Sequence, residues 1–271
     1  MTTATPKLLA NFLNAPNLVI SSEEHNFKPF QLSDIKTPLS KNFVFPYNLI
    51  IGKQAEFCFA HYLEHSLRYE LISSNIQINS NAQTIGEIDY LVFDSKTETT
   101  LHVELACKFY LYDSNLSTSK TSCWVGPNKK DTLKKKLDKF KLKQFPLIKR
   151  PETLSVLAEL QIKASAIDQQ LCLKAFLFVR KDSKANRFAK NYKNCIVGYW
   201  IPFLDFTAED PSAFYAIPKK KEWLLPLDAS REWFDLEEAK NILKNSIENK
   251  QSVLVYKKTA SHILRFFVVW W

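Results

Sequence analysis

Two carboxylates and a lysine in two short motifs are the residues of this chain whose types and spacing best suit chemistry. Asp89 ends the motif GEID (86–89), Glu104 and Lys108 lie in HVELACK (102–108), and fourteen residues separate the two acids. This spacing suits adjacent strands of a hairpin, which would place the acids side by side. Two carboxylates can hold Mg²⁺ and activate water against a phosphodiester. The motifs therefore indicate a metal-dependent hydrolytic site.

The sequence before and between the motifs predicts the elements that would carry them. A 3.6-residue period predicts a helix over 48–67, in which Glu56 shares a face with Phe59 and Leu63. An acid on an apolar face normally has a partner or a metal, because burying an unpaired carboxylate is costly. Strands are predicted over 69–78, 87–93 and 101–111. In the last strand the odd positions are apolar, so Glu104 and Lys108 share the opposite face.

The chain after the second motif completes an α/β pattern. A helix is predicted over 131–148, and Gln144 falls within its apolar stripe. A further helix over 154–170 and a buried strand over 173–179 follow. This order predicts a mixed central sheet with flanking helices. Strands over 196–201 and 213–217, a helix over 236–247 and a final hairpin of 252–256 with 262–270 predict an α+β elaboration.

The sequence contains no internal repeat and no low-complexity linker, which predicts a single compact unit over residues 1–271. We divide it into a helical N-terminal wrap (1–44), a core (45–182) and the C-terminal elaboration (183–271). Hydrophobic residues make up 46% of the chain, which is ample for a buried core. The apolar C-terminal run is too short to span a bilayer, so we expect no membrane association. The five cysteines match no zinc spacing and indicate reduced thiols in a cytoplasmic protein.

Residues 48–180 resemble the PD-(D/E)XK, or restriction-endonuclease-like, nuclease superfamily, whose core runs helix, three strands, helix, strand. GEIDYL (86–91) looks like its second-strand motif, and HVEL (102–105) stands where that family has Glu-x-Lys. The resemblance implies that Asp89 and Glu104 ligate Mg²⁺, with Mn²⁺ as a substitute, and that Glu56 completes the metal site. It implies that Lys108 acts on water or phosphate, that Gln144 is the helix glutamine of several branches, and that DNA is hydrolysed.

The whole chain also resembles an uncharacterised bacterial family, DUF1853, through ELACKFYL (104–111) and WVGPN (124–128). That second resemblance implies no established activity.

One departure from the nuclease pattern leaves two interpretations open. The family places lysine two residues after the glutamate, where this chain has Ala106. Either Lys108 has taken over that position and still reaches the site, or the catalytic position is lost. The loss would leave an inactive nucleic-acid-binding or scaffold protein. Asp89 and Glu104 could also be ordinary ion-paired residues, Glu56 could pair with Lys53 or Lys108, and Gln144 could bind buried backbone.

Two further patterns bear on partners. A net charge of +9 and the lysine-rich stretch over 129–143 favour a polyanionic partner, and they are equally typical of a solvated surface. The candidate nucleic-acid contacts are Lys129, Lys130, Lys134 and Lys135. The segment HYLEH (61–65) fits the H-x-x-E-H pattern of zinc peptidases. Helical geometry places His61 and His65 on the side of the helix away from Glu56 and from the presumed core, which argues against a peptidase.

Overall fold

The fold, taken from a computed structural model, is described for residues 4–22, 24–35, 48–117, 119–183, 187–225, 227 and 231–271. Its helices are α1 (Ala4–Asn14), α2 (Ile51–His65), α3 (Leu133–Lys139), α4 (Pro151–Glu159), α5 (Lys190–Lys193), α6 (Phe203–Phe206) and α7 (Leu236–Glu248). Its strands are β1 (Lys28–Pro29), β2 (Tyr69–Ser80), β3 (Gln83–Asp94), β4 (Thr99–Tyr112), β5 (Trp124–Val125), β6 (Ile167–Arg180), β7 (Ile196–Pro202), β8 (Phe214–Ala216), β9 (Val253–Lys258) and β10 (Ile263–Val269).

All of these strands belong to one mixed sheet, with the order β2-β3-β4-β6-β7-β10-β9-β8. Strands β2, β3 and β4 form an antiparallel meander. Strand β6 runs parallel to β4, as do β7 to β6 and β10 to β7. The short β1 and β5 pair with β6 and β4 beside this path. The predicted mixed sheet with helices is confirmed, and the final hairpin is observed as β9 and β10.

Helices cover both faces of β4, which explains why this strand is buried along most of its length. On one face, Cys58 and Phe59 of α2 pack in a cluster with Val103 and Leu105. On the other face, the helical segment that begins at α3 packs against even-numbered positions of β4, including Tyr110. The alternation predicted from sequence is therefore present, and the polar residues at even positions lie beneath α3.

The predicted helix over 154–170 is wrong in its second half. Helix α4 ends at Glu159, and Gln161 adopts a positive φ of 58°, a left-handed conformation common just beyond a helix end. Residues from Ile167 onward instead extend β6, where Ile167 lies opposite Thr100 of β4. Tertiary pairing with β4 overrides the local helical pattern there.

The other predicted elements need smaller adjustments. The helix over 131–148 is one continuous helical segment: α3, then a π-helical turn (Phe140–Gln144), then a 3-10 turn (Phe145–Lys149). Of the predicted N-terminal wrap, α1 and β1 are present, while residues 36–44 lie outside the described residues. Helix α2 stops at His65, so Leu67 lies beyond it and is exposed.

The close approach of β7 and β10 gives a stability prediction at Gly198. A Cβ added there would lie 2.1 Å from the carbonyl oxygen of Arg265, and backbone cannot rotate away as a side chain does. We expect Gly198→Ala to lower the free energy of unfolding by about 1–3 kcal/mol, measured by urea denaturation. Gly52 in α2 is the matched control, because nothing lies within 4 Å of its added Cβ. Gly52→Ala should be neutral or stabilise by up to about 1 kcal/mol; equal losses in both variants would contradict the account.

Candidate active site

The candidate site forms where β3 and β4 stop pairing. Their ladder ends at Tyr90 opposite Val103, so Asp89 and Glu104 are the next residues along. The Asp89 carboxylate accepts a hydrogen bond from the backbone N–H of Leu105 at 2.9 Å. A side-chain carboxylate thus replaces a backbone carbonyl as the acceptor for an N–H of β4, just beyond the end of the backbone ladder. This arrangement brings the two sequence-predicted acids together on the face beneath α3.

Glu104 is fully buried, and neutral polar groups hold both of its oxygens. Oε1 lies 2.8 Å from Nε2 of His102, and Oε2 accepts a hydrogen bond from the side-chain amide of Gln144. The Gln169 amide nitrogen donates to Nδ1 of His102 (3.0 Å) and to the carbonyl of Phe145 (2.8 Å). Since Nδ1 accepts, the His102 proton sits on Nε2 and is donated to Glu104. The carboxylate is therefore fixed in orientation.

Burial and mutual proximity raise the pKa values of both acids. Desolvation, followed by the charge of Glu104, raises the pKa of Asp89 to about 7. Desolvation raises the pKa of Glu104 to about 8, although Lys136 and a hydrogen bond with Asp89 oppose the rise. Two carboxyl groups in contact cannot both ionise readily without a compensating cation. Two carboxylates that repel each other offer hard oxygen donors, and these suit a divalent cation such as Mg²⁺ or Mn²⁺.

Lys136 of α3 is the basic side chain whose charge acts on both acids. Its ammonium donates to Oε1 of Gln144 at 3.2 Å and lies 4.0 Å from the centre of the Phe140 ring. Burial, with the nearby charges of Lys139 and Lys108, lowers the pKa of Lys136 to about 8. Lys136 therefore supplies positive charge at the site and links it to Gln144.

The helical turns after α3 set the position of Gln144. The π-helical turn ends at Gln144, and such turns are rare and often occur at functional sites. In the 3-10 turn that follows, Leu147 packs onto Gly86, where an added Cβ would lie 2.7 Å from Leu147 Cδ2. The glycine of the GEID motif thus lets this turn lie close to β3 beside the acids.

Lys108, the lysine proposed from sequence, is engaged elsewhere. Its ammonium forms an ion pair with Asp131 at 2.9 Å, and each side chain is 36% exposed. The hydroxyl of Tyr110 lies 3.4 Å from the same carboxylate. Lys108 is near enough to lower the pKa of Lys136 through its charge. The structure thus places Lys136, rather than Lys108, in the hydrogen-bonded network around the acids.

Glu56 lies at the rim of the site rather than within that network. Its carboxylate pairs with Lys53 one turn earlier, one of the alternatives that the sequence left open. The Tyr90 hydroxyl donates to the backbone carbonyl of Glu56 at 2.9 Å and so fastens α2 to β3 beside Asp89. The charge of Glu56 still raises the pKa of Asp89, which places it within electrostatic reach.

The four lysines proposed as nucleic-acid contacts are exposed in the loop before α3 and along its outer side. Lys129 lies 3.8 Å above the Trp271 ring and 3.4 Å from Asp113, and Lys134 pairs with Asp138. These contacts hold some of the lysines in place without burying their charge.

A surface cavity of about 340 Å³ lies at the far end of β4. It is lined by Tyr112, Trp124, Arg187 and Tyr192, among others. Tyr112 is eight residues beyond Glu104, or about 26 Å along an extended strand. We place the candidate site at the acids, because two carboxyl groups in contact, both with raised pKa values, lie there.

Sequence reasoning missed Lys136 and Gln169 and left His102 unassigned. Lys136 follows Leu133 by three residues and precedes Phe140 by four, so it adjoins the apolar stripe of the helix. That position was a usable signal. Gln169 lay within a segment predicted as helix, so its alignment with β4 could not be inferred.

Comparison with known proteins places the chain in a family. The model of the family described as Domain of unknown function (DUF1853) matches residues 2–269. The chain belongs to this family. No curated protein and no solved structure gave a significant match. Among the described residues of this DUF1853 protein, no helix is both long and apolar enough to cross a membrane.

Proposed function

We propose that this DUF1853 protein is a Mg²⁺-dependent nuclease that hydrolyses phosphodiester bonds of DNA. The observation that carries the proposal is the contact between Asp89 and Glu104, two acids with raised pKa values that Lys136 and Gln144 surround. Maintaining such a pair costs stability, and strained titratable groups of this kind cluster at functional sites. A bound divalent cation would offset the repulsion between the two carboxylates.

The order of elements around the acids supports a restriction-endonuclease-like core. Helix α2 precedes the meander β2-β3-β4, and the helical segment from α3 to α4 leads into β6, parallel to β4. The two acids occupy neighbouring strands at the point where pairing stops. This is the order that the sequence resemblance implies for a nuclease.

In the proposed mechanism, Asp89 and Glu104 would hold the cation, and Glu56 would add negative charge at the rim. The Mg²⁺ would supply a bound, activated water and Lewis-acid polarisation of the phosphate. His102 and Gln144 keep Glu104 in the orientation that presents it to Asp89. Lys136 offsets negative charge that develops on the phosphate.

The charge distribution supports a nucleic-acid substrate. The exposed lysines at 129, 130, 134 and 135 lie on or just before the helix that carries Lys136. They would contact the phosphate backbone without regard to sequence, and binding would weaken as salt rises. The five cysteines are all free, which supports a reducing, cytoplasmic location.

A second candidate function is nucleic-acid binding without cleavage. It is favoured by the complete burial of Glu104, whose two oxygens already have hydrogen-bond partners. A scaffold of this kind would keep the fold and the lysine surface and would have no turnover.

A cleavage assay separates the two candidates. Purified protein would be incubated with single-stranded, duplex and branched DNA and with RNA, each with Mg²⁺, Mn²⁺ or a chelator. The proposal expects metal-dependent cleavage of at least one DNA substrate and its loss in Asp89→Asn. Binding of DNA with no cleavage of any substrate in either metal would favour the scaffold.

A further inference from the structure

Helix α2 carries a second cluster of possible metal ligands, formed by His61, Glu64 and His65. One ligand atom from each side chain lies within 4.8 Å of the others. Nδ1 of His61 is 3.6 Å from a Glu64 oxygen, and the two imidazole ring centres are 4.1 Å apart. The spacing i, i+3 and i+4 places all three side chains on one side of the helix.

Local hydrogen bonding orients one of these rings for metal binding. Nδ1 of His65 lies 2.9 Å from the backbone carbonyl of His61, to which only a protonated nitrogen can donate. The proton is therefore on Nδ1, and the lone pair is on Nε2. Metal-binding histidines commonly make such a bond from their other nitrogen to a carbonyl, because it fixes the ring and the tautomer.

The three side chains range from buried to exposed, as expected of a metal site at the protein surface. His61 is 9% exposed, His65 is half-buried, and the Glu64 side chain is 57% exposed. The sequence expectation that His61 points away from the core is therefore wrong. The buried ring is held in position by its surroundings, while the carboxylate can move to meet an ion.

We propose that His61, Glu64 and His65 bind one borderline divalent cation, such as Zn²⁺, at a site separate from the Asp89–Glu104 pair. Two imidazoles and a carboxylate suit Zn²⁺, Ni²⁺ and Cu²⁺ rather than Mg²⁺. Zinc ligands lie about 2.0–2.2 Å from the ion, so the three ligand atoms must come closer to one another than they are in the structure. We expect the exposed Glu64 side chain to move toward the two histidines. The bound ion crosslinks consecutive turns of α2. His61 and His65 lie about 140–180° around the helix from Glu56, so the bound ion is separate from the acidic site.

Zinc titration of the full-length protein tests the site. Protein stripped of bound metal would be titrated with Zn²⁺ by calorimetry in a buffer with excess Mg²⁺, which under the proposed function fills the acidic pair. We expect one equivalent to bind, and His65→Ala and Glu64→Gln each to lose at least about tenfold in affinity, equivalent to about 1.4 kcal/mol. With Cu²⁺ as the probe, electron paramagnetic resonance should show nitrogen couplings from two imidazoles in wild type.

Matched controls make the outcomes distinct. His262→Ala removes a histidine that lies exposed between β9 and β10, and Asp89→Asn alters the acidic pair; neither should change zinc affinity. Circular dichroism of the metal-free variants would verify that each is folded. Absence of saturable zinc binding, or binding that His65→Ala and Glu64→Gln leave intact, overturns the proposal. Loss of zinc binding in Asp89→Asn alone would assign the ion to the acidic pair and would also overturn it.

Discussion

Lys136→Met is expected to lower the rate of the proposed DNA cleavage by about 10²–10³-fold. The charge of Lys136 lowers the pKa values of both acids, its ammonium donates to Gln144, and methionine retains the apolar stem that packs against Phe140. Because the charge acts on the developing transition state, the loss should appear mainly in kcat rather than KM. Steady-state cleavage kinetics in saturating Mg²⁺ measure it.

Lys108→Met is the matched control for that substitution. Lys108 is ion-paired with Asp131 at a partly exposed position, and such pairs contribute little to stability. We expect cleavage by Lys108→Met to stay within about threefold of wild type. The reverse result, a large loss with Lys108→Met and none with Lys136→Met, would restore the lysine that the sequence indicated and contradict the structural assignment.

Asp89→Asn is expected to abolish metal binding and to stabilise the metal-free protein, by about 2 kcal/mol at about pH 8. The asparagine amide can donate to Glu104 and its oxygen can still accept from Leu105, so the hydrogen bond between the two side chains is kept while the ionisable Asp89 carboxyl is removed. Denaturant unfolding with and without Mg²⁺ measures both effects. Mg²⁺ should raise the stability of wild type and leave the variant unchanged.

The pH dependence of this gain has a defined sign. The pKa of Asp89 rises from its ordinary 3.8 to about 7 on folding, so folded protein holds the proton more tightly. The associated stability is fully present below about pH 4 and is lost as pH rises through about 7. The gain in free energy of unfolding that Asp89→Asn gives should therefore be small near pH 4 and reach a plateau above pH 7.

Asp94→Asn provides a control of opposite sign. Two hydrogen bonds from the Arg68 guanidinium hold the pKa of Asp94 at about 2, below its ordinary 3.8. That carboxylate contributes stability above about pH 4, which is lost as pH falls toward 2. Asp94→Asn should thus destabilise the protein at neutral pH by about 2 kcal/mol. Destabilisation by both substitutions at about pH 8 would show that Asp89 is an ordinary structural acid.

The sequence was sufficient to predict the order of elements and the pairing of the acids. The alternation in β4 and the spacing from Asp89 to Glu104 depend on local periodicity, which can be recognised in the sequence alone. Gln144 was also identifiable, since a polar residue on an apolar stripe needs a buried partner. That partner proves to be Glu104.

Features that depend on tertiary contacts were not predictable. Which lysine, Lys108 or Lys136, lies beside the acids depends on where α3 packs on β4. The ion pair between Lys108 and Asp131 forms only in the folded chain. Gln169 reaches His102 because β6 runs parallel to β4 in a particular register, with His102 opposite Gln169. The π-helical turn that ends at Gln144 has no signature in the hydrophobic pattern.

Mn²⁺ binding followed by electron paramagnetic resonance tests the central claim most directly, because it requires no knowledge of the substrate. Wild type, Asp89→Asn and Glu104→Gln would be titrated alongside Asp94→Asn, which leaves the pair intact. The account predicts saturable binding of Mn²⁺ that Mg²⁺ displaces, that both pair substitutions remove and that Asp94→Asn retains. Binding that survives Asp89→Asn and Glu104→Gln, or no saturable binding by folded wild type, would contradict a metal site at these acids.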